Sequence, residues 1–179
     1  RAMFHTDNAY HLPAARIHSL RLKTNTVSDT AFRGFGGPQG MLGAELYLDE
    51  VARELGLDPL DVRLANLYGD AGRDVTPYHM TVEDNVLPEL MGELETGAEY
   101  RARREAIAAY NAESPWVKRG LAITPVKFGI SFTVTHLNQA GALLHVYQDG
   151  SIHLNHGGTE MGQGLFVKVA QIVAEVFDV

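Results

Sequence analysis

Two stretches of the chain combine glycine with side chains that could hold a small molecule. Phe32–Gln39 ("FRGFGGPQ") places two aromatics, an arginine and three glycines within eight residues. His156–Gly164 ("HGGTEMGQG") places four glycines around a glutamate and a glutamine. Gly34, Gly36 and Gly37 remove Cβ atoms, so a ligand can approach the backbone closely. A helix is expected directly after each loop, and its free N–H groups and positive dipole end would suit an anion. Neither loop is a phosphate motif by letter: GxxxxGK[ST] is missing, and the spacing is not the dinucleotide GxGxxG after a strand. One such loop alone reads as tight-turn chemistry. Two of them, with Gln39 and Gln163 alongside, point to a polar, phosphate-bearing cofactor.

The side chains in and near the loops have competing readings. Arg33 is either a salt-bridged arginine over a core aromatic or a ligand-facing group. Phe32 and Phe35 lie three apart, so in an extended loop they cannot face the same way. One is expected in the core, and the other could present its ring to a flat ligand. Phe128 and Phe132 pose the same choice. Glu160 could be a general base, or it could hold its loop by accepting backbone hydrogen bonds; the second reading is preferred. His145, His153 and His156 invite a metal reading. On a hairpin, however, His153 and His156 point to opposite faces, and there is no H-E-x-x-H helix, so structural or surface histidines are expected.

The elements that must position these residues follow from periodicity and punctuation. Arg16–Lys23 ("RIHSLRLK") alternates like a strand, with Ile17 and Leu20 or Leu22 as buried candidates. Pro38 suits the first turn of a helix whose apolar side is Met41, Ala44, Leu48, Val51 and Leu55, ended by Gly56. Asp58 and Pro59 open a second helix with Leu60, Leu64 and Leu67 on one face. Gly69 to Met80 reads as loop. Pro88 opens a third helix bearing Leu90, Met91 and Leu94; Gly97 breaks it, and a polar helix runs from Ala98 to about Asn111. From Trp116 the chain turns β-rich, and Asp149-Gly150 joins two alternating runs into a hairpin. Leu165, Val169, Ile172, Val173 and Val176 mark a closing helix. The fold class is therefore α+β: strand, Gly loop and helices, then hairpin, Gly loop and helix.

Composition narrows the function classes. Hydrophobic residues make up 45% of the 179 and charged residues 21%, ordinary values for a globular chain. The net charge is -7 and no basic run exceeds Arg103-Arg104, which argues against a nucleic-acid surface. No apolar stretch has membrane-spanning length. Cysteine is absent, so this chain cannot itself build an iron–sulfur cluster or a zinc–thiolate site. A reducing cytoplasm fits that composition. The start at "RAMFH" and the stop at "EVFDV" suggest a segment of a longer protein.

Together, "TAFRGFGGPQGM", "KFGISFTV", "LNQAGALLHVY" and "HGGTEMGQGL" resemble, in order and spacing, the molybdenum-binding domain of the xanthine dehydrogenase/xanthine oxidase family. The resemblance covers essentially the whole chain. It implies the C-terminal part of a first molybdopterin-binding subdomain over residues 1–115 and the start of a second over 116–179. It also implies a pterin dithiolate holding molybdenum with oxo, sulfido and hydroxyl ligands. On that resemblance the hydroxyl oxygen would attack an electron-poor purine carbon while hydride passed to the sulfido ligand, and electrons would leave through [2Fe–2S] clusters and FAD to NAD or oxygen, all outside this segment.

The resemblance also assigns residues. Phe32, Arg33 and Gly34 would bring backbone close to the metal ligands, with Arg33 nearest the molybdenum. Phe35 would lie on the purine ring, Phe132 would press it from another direction, and Thr133 would hydrogen-bond it. Met161, Gly162 and Gln163 would hold the pterin. Arg1, matching the arginine of the family's "ERA", would bind and polarise the purine. Aldehyde oxidases resemble this chain elsewhere but lack that arginine, so hypoxanthine or xanthine oxidation to urate leads. The rivals are an aldehyde- or other N-heterocycle-oxidising relative, and a non-catalytic anion-binding module. The family's catalytic base falls beyond Val179, so the segment alone is expected to be inactive. Its expected partners are a purine and the remaining domains or subunits, in a homo-oligomer when intact, in the cytoplasm. The electron acceptor is decided elsewhere.

Overall fold

A computed structural model describes residues 2–29, 32–70, 72–129 and 134–179. The chain divides into two compact units, Arg1–Phe128 and Gly129–Val179. The class is α+β, as the sequence predicts.

The first unit carries four helices: α1 (Gly37–Leu55), α2 (Pro59–Asn66), α3 (Leu87–Gly97) and α4 (Tyr100–Glu113). Their ends are set by local chemistry. Pro38 sits in the first turn of α1, where a missing N–H costs nothing. Gly56 closes α1 in the left-handed region at φ 65°, and the N–H of Leu57 returns to the carbonyl of Ala52 at 2.9 Å. Asp58 caps α2, its carboxylate accepting from the N–H of Leu60 at 2.8 Å, with Pro59 at the first helical position. The break between α3 and α4 comes two residues later than Gly97 alone suggests. Glu99 takes the left-handed conformation at φ 50°, and α4 starts at Tyr100.

The core of this unit is built from Ala9, Tyr10, Leu48, Ala52, Leu60, Val62, Leu67, Met91, Tyr100 and Ile123. Helix α1 buries a narrower stripe than its large apolar residues suggest: Gly37, Gly40, Ala44, Leu48 and Ala52. Val51 and Leu55 are exposed. Gly40 lets the backbone of Ala2 and His5 come close and Gly37 lets the Phe128 ring come close, so the small residues rather than Val51 and Leu55 face the protein. On α3 only Met91 is buried, while Leu90 and Leu94 are exposed.

Two β expectations fail. Arg16–Lys23 forms no strand, and Leu20 and Leu22 lie exposed. The described part of 116–134 contains no strand. Alternation gives a segment two faces, but a strand also needs a neighbour to complete its hydrogen bonds. Neither segment has one among the described residues.

The second unit holds a short 3-10 turn (Thr135–Leu137), the hairpin of β1 (Ala142–Val146) and β2 (Ile152–His156), and helix α5 (Leu165–Phe177). The strands pair antiparallel with Leu144 opposite Leu154. The turn is a three-residue one. The N–H of Gly150 donates to Tyr147 at 3.0 Å, the N–H of Tyr147 donates to Ser151 at 2.9 Å, and Gly150 alone is left-handed, at φ 83°. The Asp149 carboxylate accepts from the N–H and hydroxyl of Ser151. No helix among the described residues is long and apolar enough to cross a membrane.

Candidate cofactor- and substrate-facing loops

In the first unit the glycine loop is a run of tight turns feeding α1. Gly34, Phe35 and Gly36 are all left-handed, at φ 87°, 49° and 91°. Two of the three are glycine, the residue that adopts this conformation without strain. Phe35 is the costly one, since a bulky residue rarely has positive φ. The N–H of Phe35 donates to the carbonyl of Phe32 at 2.7 Å, and that of Gly37 to Gly34 at 2.9 Å. The turns put both aromatics outside the core: Phe32 is 83% exposed and Phe35 50%. The expectation that one would be buried is therefore wrong, because consecutive reverse turns, unlike an extended loop, turn both rings away from the core. Arg33 is exposed beside them.

Three glycines here are fixed by contacts with the protein itself. A Cβ on Gly34 would lie 2.6 Å from the Pro38 ring. One on Gly37 would lie 2.4 Å from the Phe128 ring, and one on Gly40 would lie 2.3 Å from the carbonyl oxygen of Ala2. Phe128 in turn stacks on buried His5, with ring centroids 4.9 Å apart and planes at 27°. That answers the question for Phe128: its ring packs on protein.

The first unit also holds a buried polar network. Arg63, 1% exposed, donates to Glu45 at 2.6 Å and to Asp49 at 2.7 Å. Glu45 also accepts from the Tyr10 hydroxyl and the Asn8 amide, each at 2.7 Å. Asn8 further donates to the Pro125 carbonyl at 2.9 Å and accepts from the Lys127 N–H at 3.2 Å. Buried Asp7 accepts from the Tyr68 hydroxyl at 2.9 Å and from Lys127 Nζ at 2.6 Å. Burial, and then the neighbouring carboxylates Glu45 and Asp7, push the phenols of Tyr10 and Tyr68 well above their ordinary range. Sequence reasoning missed this network. The run "TDNAY" is polar, but nothing in it names partners more than a hundred residues away.

In the second unit the loop before α5 closes on its own side chains. One Glu160 oxygen accepts from the N–H groups of Gly162 (2.8 Å) and Gly164 (3.0 Å). Its other oxygen accepts from Phe166 at 3.0 Å. The Phe166 bond, followed by those from the glycines, holds the carboxyl below its ordinary value. Gln163 accepts from the Met161 N–H at 2.6 Å and donates to the Thr159 carbonyl at 2.8 Å. Glu160 is thus the loop-holding acceptor expected of it. The N–H groups expected to be open for a ligand at α5 already face a carboxylate. Gly158 is set by packing, since a Cβ there would lie 2.5 Å from Leu165.

The donor set suits an oxyanion or a carbonyl-rich heterocycle: four backbone N–H groups within six residues converge on side-chain oxygens. That chemistry fits a pterin phosphate. His145 and His153 stand opposite each other in the hairpin register, with ring centroids 6.4 Å apart, while His156 lies on the other face of β2. Among the described residues no three metal-binding side chains gather. Arg1, Phe132 and Thr133 lie outside the described residues.

The chain is similar to known proteins along its whole length. Residues 1–67 match one molybdopterin cofactor-binding domain family, and residues 93–179 match a second family of the same description. The chain is 49% identical over 174 residues to the xanthine dehydrogenase/oxidase of Gallus gallus, covering 97% of this chain and 13% of that protein. It is 50% identical over all 179 residues to the xanthine dehydrogenase/oxidase of Felis catus, again 13% of the relative. The chain therefore spans about an eighth of the length of the curated relatives it matches. Among solved structures, the aldehyde oxidoreductase of Desulfovibrio desulfuricans superposes with a TM-score of 0.46 at 22% identity, over 70% of this chain and 13% of that one. On two molybdopterin-binding matches and near-half identity along its full length, the chain belongs to the xanthine dehydrogenase/xanthine oxidase family, in its molybdopterin-binding portion.

Proposed function

We propose that this chain contributes substrate- and cofactor-binding residues to a molybdenum hydroxylase that oxidises hypoxanthine and xanthine to urate. Residues 1–115 would belong to the first molybdopterin-binding subdomain and 116–179 to the second. The observation that carries the reading is the loop at Phe32–Gly36. Two exposed aromatic rings are carried by a loop with three successive left-handed residues at the start of a long helix, where a planar ligand could reach them.

When bound, the molybdenum cofactor would supply an oxygen nucleophile derived from water and an acceptor for hydride. The chain's own residues would do the rest. Phe35 would offer its ring face to a planar purine and limit its tilt. Phe132 would confine the ring from a second direction, and Thr133 would hydrogen-bond it. Arg1 would meet the negative charge that grows on the heterocycle during attack, so its effect would be larger in the transition state than in the ground state. Phe32, Arg33 and Gly34 would present backbone toward the metal ligands, Arg33 nearest the molybdenum. Met161, Gly162 and Gln163 would hold the pterin, exchanging their present bonds to Glu160, Gln163 and Thr159 for bonds to the cofactor.

The [2Fe–2S] clusters, FAD, the general base and the other domains would come from the rest of the protein, which would act as a homo-oligomer. The test uses the intact protein with its native cofactors. Arg1→Met should lower purine kcat by roughly 10²–10³, as a lost oxyanion donor does. Oxidation of an aldehyde, which needs no ring polarisation, should be largely spared. Equal loss on both substrates would make Arg1 structural and favour an aldehyde- or other heterocycle-oxidising relative. A matured protein without molybdenum would favour a binding module.

A further inference from the structure

The turn between β1 and β2 holds a dipeptide with chemistry of its own. Asp149 is the one Asp or Asn in the chain that is followed by glycine. A glycine has no Cβ beside its amide, so a neighbouring carboxyl can approach the nitrogen closely. Residues 148–151 are all exposed. In the folded turn both groups that could react are engaged elsewhere. The Gly150 N–H donates to the Tyr147 carbonyl at 3.0 Å. Asp149 Oδ1 accepts from the Ser151 N–H at 2.9 Å and from the Ser151 hydroxyl at 2.7 Å. The hydroxyl, and then the N–H, hold the Asp149 carboxyl below its ordinary value and so keep it ionised. An ionised carboxylate is a poor target for a nitrogen, because it would have to expel oxide rather than water.

We propose that Asp149-Gly150 is a site of isoaspartate formation, and that the Ser151 hydroxyl restrains it by engaging the Asp149 carboxylate. In the reaction the Gly150 nitrogen attacks Cγ of Asp149. The N–Cγ bond forms, a Cγ–O bond breaks, and that oxygen leaves as water with the amide proton and the carboxyl proton. Solvent water then opens the imide ring. Opening at Cγ restores aspartate, and opening at the α-carbonyl leaves the main chain running through Cγ, with no net change in mass. The altered backbone carries one extra methylene between Asp149 and Gly150. It no longer suits the three-residue turn, which is closed by the Tyr147 N–H on the Ser151 carbonyl at 2.9 Å, next to the paired Val146 and Ile152. It also presents a free α-carboxylate on an exposed turn. The partner that chemistry fits is a repair methyltransferase that esterifies isoaspartyl carboxylates with a methyl group from S-adenosylmethionine.

The experiment ages the intact protein at neutral pH and physiological temperature. It measures methyl acceptance with a purified isoaspartyl methyltransferase and locates the acceptor by peptide mapping. Ser151→Ala should form isoaspartate at position 149 about fivefold faster than the parent, the change expected when one hydrogen bond to the carboxylate is lost. Ser151→Thr keeps a hydroxyl and should age at the parent's rate. Asp149→Glu, whose longer side chain disfavours the ring, should lose the signal at this position. In denaturant the parent and Ser151→Ala should age alike, since the turn is gone. A difference that persists there places the effect in local sequence and overturns the restraint. Equal rates in the folded parent and Ser151→Ala overturn it as well, and no isoaspartate at 149 in either protein overturns the site.

Discussion

The two units solve the same design problem, a glycine loop feeding a helix, with opposite means. In Arg1–Phe128 the loop stands on a built foundation. Leu48 and Ala52 of α1 and Leu60 of α2 are buried, and buried Arg63 of α2 is tied to α1 by the carboxylates of Glu45 and Asp49. In Gly129–Val179 no described residue is buried, and α5 exposes Phe166, Val167, Ile172 and Val176. There the loop holds itself, through Glu160 and Gln163. A two-stranded hairpin and one helix bury too little to be stable alone. The difference teaches that a tight loop can be fixed by tertiary packing or by its own side chains. The two kinds should respond to different perturbations.

The largest expected effect breaks the foundation. Arg63→Ala leaves Glu45 without its charge partner beside buried Tyr10 and Asn8. Removing one member of a buried pair costs about 3–5 kcal/mol. Urea unfolding of the intact protein, with hydrogen exchange of residues 8–10 and 60–68 as the local readout, checks this. Full protection at those residues would show that the network is decorative.

Next comes a matched pair of truncations. Leu48→Ala should cost about 2–5 kcal/mol, as buried leucines do. Leu144→Ala, on the exposed hairpin, should cost under about 1 kcal/mol. Equal costs would mean that the hairpin face is covered in the intact protein, and that the contrast between the units belongs to this segment alone.

A smaller effect concerns the cap of α2. Burial raises the Asp58 carboxyl, but the Leu60 N–H, the Tyr100 hydroxyl and Arg104 outweigh it and leave the group below its ordinary 3.8. A depressed folded value means stability that is fully present above the unfolded value and lost as pH falls through the folded one. Asp58→Ala should therefore cost about 1 kcal/mol at neutral pH and less in strong acid, where the charge-dependent part of the cap is lost. A pH series of unfolding curves for parent and variant tests the sign. A penalty independent of pH would place the effect in packing of Tyr100.

The smallest change is Glu160→Gln, which sharpens the comparison in the second unit. Three backbone bonds to a carboxylate become bonds to a neutral amide that cannot accept with both its ends. Exchange at Gly164 and Phe166 should quicken while residues 8–10 stay protected. Unchanged exchange at those two amides would mean that Glu160 does not hold the loop.

The sequence determined what depends on neighbours along the chain. Pro38, Gly56, Asp58 and Pro59 mark helix ends because their effects act within one turn. Asp149-Gly150 marks the hairpin, and Glu160 holds its loop through residues no more than six away. The ordered motifs were enough to indicate the family. What only the tertiary structure decided depends on partners far along the chain. It left Arg16–Lys23 without a strand to pair with. It rotated α1 onto its glycine stripe and turned both loop aromatics outward. It joined Asp7 and Asn8 to Lys127, 120 and 119 residues away. Periodicity records which residues are apolar. It does not record which backbone will come close enough to require Gly40, because that contact exists only after the turn Ala2–His5 has been laid across a helix that begins at residue 37.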